Sequence, residues 1–141
     1  KKILAEQNIN LVVLLVPSKA RIYGDKLGRY SFPRYNEDVY DSFARDLEAL
    51  DIPVVNLLST FKTAKKQQDV FLKTDTHWTL YGARVAAAEI ANVVNKNNLL
   101  PSFGSTTFTT TVETTVSHKG DLITYLPLGF LQESIRKELD K

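Results

Sequence analysis

Residues 9–17 read INLVVLLVP, a largely apolar run that ends at Pro17. Aliphatic runs that do not alternate with polar residues are typical of strands buried on both faces of a parallel sheet. The run is also much shorter than the roughly 20 residues that cross a bilayer. We therefore predict a buried first strand over residues 9–16. The end of a helix precedes it in KKILAEQN (1–8), and a loop follows it in PSKARIYGDKLG (17–28).

Helical and strand patterns alternate from there to residue 96. Apolar residues recur every three or four positions from Val39 to Leu50, which is the pattern of an amphipathic helix. The other predicted elements are a strand at 52–58, a short helix at 59–68 capped by Ser59, a strand at 69–73 and a helix at 80–96 capped by Thr79. This α-β-α-β-α-β-α order predicts an α/β fold, a three-layer α/β/α arrangement with a mainly parallel sheet and right-handed crossovers.

Residues 101–141 lack this alternation. They consist of a Thr-rich arm (103–116), a loop with proline and glycine (117–131) and a terminal helical pattern, LQESIRKELDK (131–141). Threonine favours extended backbone, so the arm is predicted to be a strand or an extended segment. We assign residues 1–141 to one domain. Because the sequence contains no methionine, even at position 1, we expect it to be a processed or excised piece.

The composition argues against two kinds of function. The chain has 18 basic and 16 acidic side chains, a net charge of +2, so it lacks the excess of positive charge that nucleic-acid-binding domains carry. It contains no cysteine, which excludes disulfides and thiolate chemistry. We predict no nucleic-acid partner, and no pattern in the sequence predicts the oligomeric state.

The candidate chemistry lies in FLKTDTHWTLYGA (71–83), where Asp75 and His77 are two residues apart. The turn follows a predicted strand, at the carboxyl edge of the sheet where ligands bind in open α/β folds. A carboxylate beside a histidine can fix its tautomer and stabilise the imidazolium, as in Ser-His-Asp sites. The spacing alone fits equally well a histidine that caps the helix starting at residue 80.

Longer motifs favour the catalytic interpretation. The segment VFLKTDTHWTLYGA (70–83) resembles the signature of the alginate O-acetyltransferase family, whose domains are SGNH-hydrolase-like. Three other segments resemble that family in the same order: LLVPSKARIYGDKL (14–27), YDSFARDLEALDIPVVNLLSTF (40–61) and HKGDLITYLPLG (118–129). The resemblance implies an SGNH-hydrolase-like (flavodoxin-like) fold that is incomplete at the C-terminus.

The resemblance also implies a reaction. His77 would be the general base and Asp75 its orienter in a Ser-His-Asp triad that moves an acetyl group, through an acetyl-serine, to or from a polysaccharide hydroxyl. The substrate would be an exported bacterial polysaccharide such as alginate, and the protein would act in the periplasm or elsewhere outside the cytoplasm. A membrane partner would supply the acetyl groups. Neither a metal nor an organic cofactor is implied.

The nucleophile of such a triad is not evident in the sequence. The family places its serine late in the chain, commonly in a G-T-S type turn, whereas the only serine after Asp121 is Ser134, within a helical pattern. Ser105 lies in the Thr-rich arm and Ser18 in the V-P-S-K loop. We therefore expect the chain to stop before its nucleophile. The alternative is a non-catalytic relative that binds a polysaccharide on the same fold.

Four more residues are candidate substrate contacts. Lys19 could hold an anionic substrate or face the oxyanion, or else be a solvated loop lysine. Trp78 is expected to cover the base of the histidine turn, with sugar stacking as the other role. His118 and Asp121 would line the cleft if their loop folds back. A binuclear metal centre is not predicted, because it needs several histidine ligands and the sequence has two histidines.

Overall fold

A computed structural model describes residues 1–100, 106–109, 111 and 120–125. Its helices and strands are α1 (Lys2–Glu6), β1 (Val13–Leu15), α2 (Lys19–Ile22), α3 (Val39–Ala49), β2 (Val54–Asn56), α4 (Leu57–Ala64) and α5 (Leu80–Lys96). Short 3-10 turns occupy Gly24–Lys26, Arg34–Asn36 and Asp121–Tyr125. None of the described helices is long and apolar enough to cross a membrane.

The two strands form the predicted parallel pair. Val13 lies opposite Val54, and Leu15 lies opposite Asn56. The helix α3 connects them, so the pair is a β-α-β unit. Both strands are shorter than predicted, and the prediction that the first is buried was wrong, since Leu14 and Val16 are exposed. The second strand ends where the Asn56 side chain accepts a hydrogen bond from Leu58 N at 3.0 Å. This cap starts α4 at Leu57, so the prediction that Ser59 begins the helix was wrong.

The predicted third strand at residues 69–73 was also wrong. In the described part of the chain, this segment forms only an isolated antiparallel bridge between Phe71 and Trp78. Its backbone groups pair locally, with Leu72 N donating to His77 O and Thr79 N donating to Val70 O, both at 3.1 Å. The apolar run therefore closes a tight turn on itself and is not part of a sheet.

The core lies beneath this turn. Val55, Leu57, Phe61 and Val70 are fully buried, and Phe71 is buried beside them. The Phe61 ring makes an edge-on contact with Phe71, with ring centroids 5.8 Å apart. Aromatic rings in this arrangement bury a large apolar area and fix one another's orientation. The turn that follows Phe71 thus rests on fully buried side chains.

The amphipathic helix predicted within residues 34–51 is confirmed as α3, but a different face packs inward. Val39, Phe43 and Leu50 are half-exposed or more, whereas Ala44 is buried. Tyr40, one turn before Ala44, donates a hydrogen bond from its hydroxyl to Leu15 O. Burial raises the pKa of Tyr40 to about 12. A small residue and a hydrogen-bonding one therefore allow α3 to approach the sheet closely.

The helix α5 begins and ends where the sequence predicted. The Thr79 hydroxyl accepts a hydrogen bond from Gly82 N at 3.0 Å and donates one to Asp69 O at 2.7 Å. Gly82 packs directly against the backbone of Val70, so the first turn of α5 lies on the segment that enters the histidine turn. The described part of the Thr-rich arm, 106–109 and 111, is exposed and outside regular structure, and its other residues and the helix predicted at 131–141 lie outside the described residues.

Gly82→Ala should destabilise the protein. The added Cβ would lie 2.2 Å from Val70 O, so backbone must move. The better helix propensity of alanine is worth about 1 kcal/mol, and we expect the steric cost to exceed it, at the upper end of about 1–3 kcal/mol. Urea denaturation measures the difference. Gly24→Ala is the matched control, since its Cβ meets nothing within 4 Å, and equal stability of the two variants would contradict the packing argument.

Candidate active site

The DTHW turn (75–78) owes its two-residue spacing to one carboxylate. Asp75 Oδ1 accepts a hydrogen bond from His77 N at 2.8 Å, which closes the turn, and lies 2.5 Å from His77 Nδ1. An aspartate that accepts from the amide two residues later is a common way to build a turn. Here the same oxygen also holds the imidazole ring. The D-x-H spacing thus allows one side chain to fold the turn and to orient the base.

The two side chains have opposite environments. The Asp75 side chain is 2% exposed, whereas that of His77 is 77% exposed. An ionised carboxylate only accepts hydrogen bonds, so Nδ1 of His77 carries the proton that Asp75 binds. In the neutral imidazole, Nε2 is then the unprotonated nitrogen. This is the arrangement that a general base requires.

The charge of the turn favours the protonated histidine. The hydrogen bond that the ring donates to Asp75, and then the negative charge of Asp75, raise the pKa of His77 above its ordinary value, and Asp121 adds a smaller contribution of the same sign. The nearest oxygen of Asp121 lies 3.8 Å from His77 Nδ1. An imidazolium formed during a reaction would therefore be stabilised by two carboxylates.

A second segment, Gly120–Asp121–Leu122, docks on the turn from 45 residues further along the chain. Asp121 N donates to Asp75 Oδ2 at 3.0 Å, and Leu122 N donates to Thr74 O at 3.0 Å. The Asp121 carboxylate in turn accepts hydrogen bonds from the amide of Thr76, at 2.9 Å, and from its hydroxyl. The Thr76 hydrogen bond lowers the pKa of Asp121. Asp121 thus lies against the histidine turn, and its predicted contact with the substrate stays a prediction.

Lys19 reaches the same turn from the start of α2. Its Nζ lies 2.6 Å from Leu72 O, 2.8 Å from Lys73 O and 3.0 Å from Asp75 O. The ammonium thus hydrogen-bonds to backbone carbonyls of the segment that leads into the DTHW turn. The predicted contact of Lys19 with an anionic substrate stays a prediction.

The other predicted site residues have separate positions. Trp78 is partly buried with its ring centroid 5.7 Å from that of Phe61, an environment that fits the expected cover beneath the turn; sugar stacking stays a prediction. Ser18 caps α2, accepting a hydrogen bond from Arg21 N at 3.3 Å. Among the described residues, no serine is hydrogen-bonded to His77. His118, Ser105 and Ser134 lie outside the described residues.

A cleft of about 550 Å³ adjoins the turn. Thr76, Leu122 and Phe71 contribute to its wall, and the exposed lysines Lys26 and Lys73 lie at its border. The cleft thus combines an apolar wall with lysines beside the histidine turn, and Asp69 adds one carboxylate to its lining. This combination suits a sugar ring that carries an anionic group.

Asp75, His77 and Asp121 are also the one group of possible metal ligands in the described part of the chain. Their ligand atoms lie within 4.8 Å of one another. However, both oxygens of Asp75 accept hydrogen bonds from His77 and from Asp121 N, and those of Asp121 accept from Thr76. A cation would have to displace these donors, so the set fits a hydrogen-bonded acid–base pair better than a metal centre.

Comparison with known proteins agrees with this geometry. Residues 1–141 match the family described as "SGNH hydrolase-like domain, acetyltransferase AlgX". The chain belongs to this family. The family resemblance that the motifs indicated is therefore confirmed.

Relatives of this SGNH hydrolase-like domain carry a consistent name. "Probable alginate O-acetylase AlgJ" of Azotobacter vinelandii is 37% identical over 135 residues, 96% of this chain and 34% of the relative. The protein of that name from Pseudomonas aeruginosa is 34% identical over 132 residues, 94% of this chain and 34% of the relative. The chain thus spans about a third of the length of these curated relatives.

A solved structure confirms the predicted fold of this SGNH hydrolase-like chain. "O-Acetyltransferase Domain of Pseudomonas putida AlgJ" aligns with a TM-score of 0.81 and 36% sequence identity. The alignment covers 92% of this chain and 46% of that one. The α/β, SGNH-hydrolase-like architecture is therefore shared with that domain over the compared residues.

Thr76 and Gly120 are site residues of the SGNH hydrolase-like domain that the sequence did not reveal. A Cβ on Gly120 would lie 2.0 Å from Thr74 O, so only glycine permits the observed docking. Thr76 is the residue through which Asp121 holds the turn. A signal was present in the HKGDL motif, where a glycine precedes an acid, but its meaning depends on a contact that sequence spacing does not show.

Gly120→Ala should detach the docked segment from the turn, because the backbone of Thr74 cannot yield to the new Cβ. The amide of Thr76 then loses its hydrogen bond to Asp121, and we expect its hydrogen exchange to become faster. NMR hydrogen exchange measures this, with Gly24→Ala as a control that should leave the amide protected. Unchanged protection of Thr76 in Gly120→Ala would contradict the docking.

The pKa of His77 provides a second test. We expect an NMR titration of the chain to place it above the ordinary histidine value of about 6.5, because Asp75 favours the charged ring. Asp75→Asn should lower it toward that value. The second histidine, His118, supplies an internal reference signal. A His77 pKa at or below the ordinary value in the unmutated chain would contradict the assignment.

Proposed function

We propose that this chain forms part of a polysaccharide O-acetyltransferase in which His77 is the general base and Asp75 orients it. The observation that carries the proposal is the 2.5 Å contact between the buried Asp75 carboxylate and Nδ1 of an exposed imidazole. It leaves Nε2 unprotonated and open to a reacting group. Membership of an acetyltransferase family supports the same chemistry.

The reaction would proceed in two half-reactions. Nε2 of His77 takes the proton of a serine hydroxyl as the serine oxygen attacks the acetyl carbonyl of the donor. The imidazolium then returns its proton to the leaving group, and an acetyl-serine remains. In the second half, Nε2 accepts the proton of a sugar hydroxyl as that oxygen attacks the acetyl-serine. The serine recovers a proton from the imidazolium, and the sugar keeps the acetyl ester.

The contribution of Asp75 is electrostatic and geometric. It fixes the tautomer with the proton on Nδ1, and its charge stabilises the imidazolium that exists in both half-reactions. Burial keeps water from competing for the carboxylate, which strengthens this interaction. Asp75 thus prepares the base without exchanging a proton itself.

The nucleophile in this proposal lies on a segment other than residues 1–141. None of the described serines is hydrogen-bonded to His77, and the curated relatives are about three times as long as this chain. The exposed Nε2 side of His77 leaves room for such a segment. This chain would therefore supply the base and its orienter, and the added segment the serine.

The proposed acceptor is an exported polysaccharide with acidic sugars, such as alginate. The names of the relatives support this choice. The cleft beside the turn also supports it, since Lys26 and Lys73 would face a uronate carboxylate. Such a protein would work in the periplasm and would take its acetyl groups from a membrane partner.

Turnover of a small chromogenic acetyl ester tests the proposal. The full-length protein that contains these residues should release the chromophore, and His77→Ala should lower kcat by about 10⁴-fold or more. Asp75→Asn should leave a residual activity, because the imidazole remains. Asp51→Asn is the matched control: Asp51 is exposed and has φ of 54°, a conformation that asparagine also adopts.

The pH profile adds a second criterion. The active form has a neutral imidazole, so kcat/KM should rise with pH through the raised pKa of His77. Full activity of His77→Ala would contradict the proposal. If the unmutated full-length protein cleaves no acetyl ester and retains acidic polysaccharide on an affinity gel, the protein is instead a non-catalytic binding relative.

A further inference from the structure

Lys19, the first residue of α2, makes an unusual set of contacts for a lysine. Its ammonium has three N–H donors, and three backbone carbonyls, those of Leu72, Lys73 and Asp75, lie 2.6, 2.8 and 3.0 Å from Nζ. All three belong to one short segment, although Lys19 is more than 50 residues earlier in the chain.

The three carbonyl oxygens point toward one place, and a cation there stabilises this arrangement. Within the residues that the structure describes, the segment that carries them joins no sheet and forms a single bridge, between Phe71 and Trp78. Carbonyl dipoles that converge on one point repel one another, and a single ammonium between them removes the repulsion and satisfies each oxygen. Without it, the backbone of residues 72–75 would have to turn these oxygens toward water.

The carboxylate of Asp75 depends on that backbone. Lys19 binds the backbone carbonyl oxygen of Asp75 itself. This oxygen is two bonds from the Cα atom that carries the Asp75 side chain. The side chain must place one oxygen on His77 Nδ1 and the other on Asp121 N. A rotation of the backbone at residues 73–75 would move both oxygens together. The position of the base thus follows from the position of these carbonyls.

We propose that Lys19 is a positioning residue of the acetyl-transfer site, which holds residues 72–75 so that Asp75 stays beneath the ring of His77. This inference rests on the proposed function. It assigns Lys19 a role through the backbone, in place of the contact with an anionic substrate that the sequence suggested. The substrate then meets other cations of the cleft, such as Lys26 and Lys73.

The geometry also explains why the residue is lysine. The three carbonyls surround one nitrogen, which suits the tetrahedral ammonium. The guanidinium of arginine spreads its donors in a plane over three nitrogens. Arginine would keep the charge but could not bind the three oxygens from one point.

Lys19→Met tests the role, with two readouts. In the full-length protein, a displaced base should lower kcat for the small chromogenic ester by about 100-fold with KM unchanged. In the 141-residue chain, an NMR titration should show the pKa of His77 lowered toward its ordinary value, because the Asp75 contact loosens. Lys62→Met is the control, since Lys62 is exposed on α4, and it should change neither quantity.

The direction of the pKa change separates the two roles of Lys19. His77 is faced by the carboxylates of Asp75 and Asp121. Loss of a nearby positive charge alone would raise the pKa of His77, whereas loss of positioning lowers it. A raised or unchanged pKa, with KM for an acidic polysaccharide increased and kcat for the small ester unchanged, would overturn the proposal.

If circular dichroism shows that Lys19→Met does not fold, Lys19→Arg serves as the test variant. We expect this variant to fold and to show both the lower His77 pKa and the lower kcat, although its charge is intact. A normal pKa and full activity in Lys19→Arg would overturn the proposal. The titration needs no catalysis, so absence of esterase activity in the unmutated protein would refute the proposed function and leave the test of positioning in force.

Discussion

The carboxylate of Asp75 is the interaction on which the site depends. It is buried, and a buried carboxylate is costly unless its oxygens are satisfied. Three donors from the described part of the chain bind it: the backbone amide and the ring of His77, and the amide of Asp121. Two segments far apart in the chain must therefore meet before this charge is tolerated. Formation of the fold and preparation of the base are consequently one event.

The fold could be predicted where the signal is local. Thr79 caps a long periodic helix, and both ends of α5 lie at the predicted residues because capping and periodicity act within a few residues. The prediction of a strand at residues 69–73 was wrong because a short apolar run does not show which residues its backbone will pair with. Here the backbone pairs with residues of the histidine turn. The prediction that Ser59 caps the helix was wrong because the side-chain oxygen of Asn56 accepts from the helix about one turn earlier.

The residues of the site also fall into those that local spacing predicts and those that depend on long-range contacts. Asp75 and His77 could be predicted together because their spacing is itself the geometry of the turn. The contacts of Lys19 and the close approach of Gly120 could not, since each depends on which backbone lies opposite in the folded chain. A lysine that binds carbonyls and a glycine that avoids a clash carry no periodic signal. Long-range contacts with backbone are thus what the sequence left open.

The support that Asp121 gives to Asp75 comes from a main-chain amide. Every amino acid except proline carries that donor, so the buried acid keeps its partner whichever side chain replaces the one at position 121. Within the described residues, the side chain of Asp121 accepts hydrogen bonds from Thr76 and adds negative charge near the His77 ring. A substitution at position 121 can therefore change the charge around His77 while the main-chain hydrogen bond to Asp75 is retained.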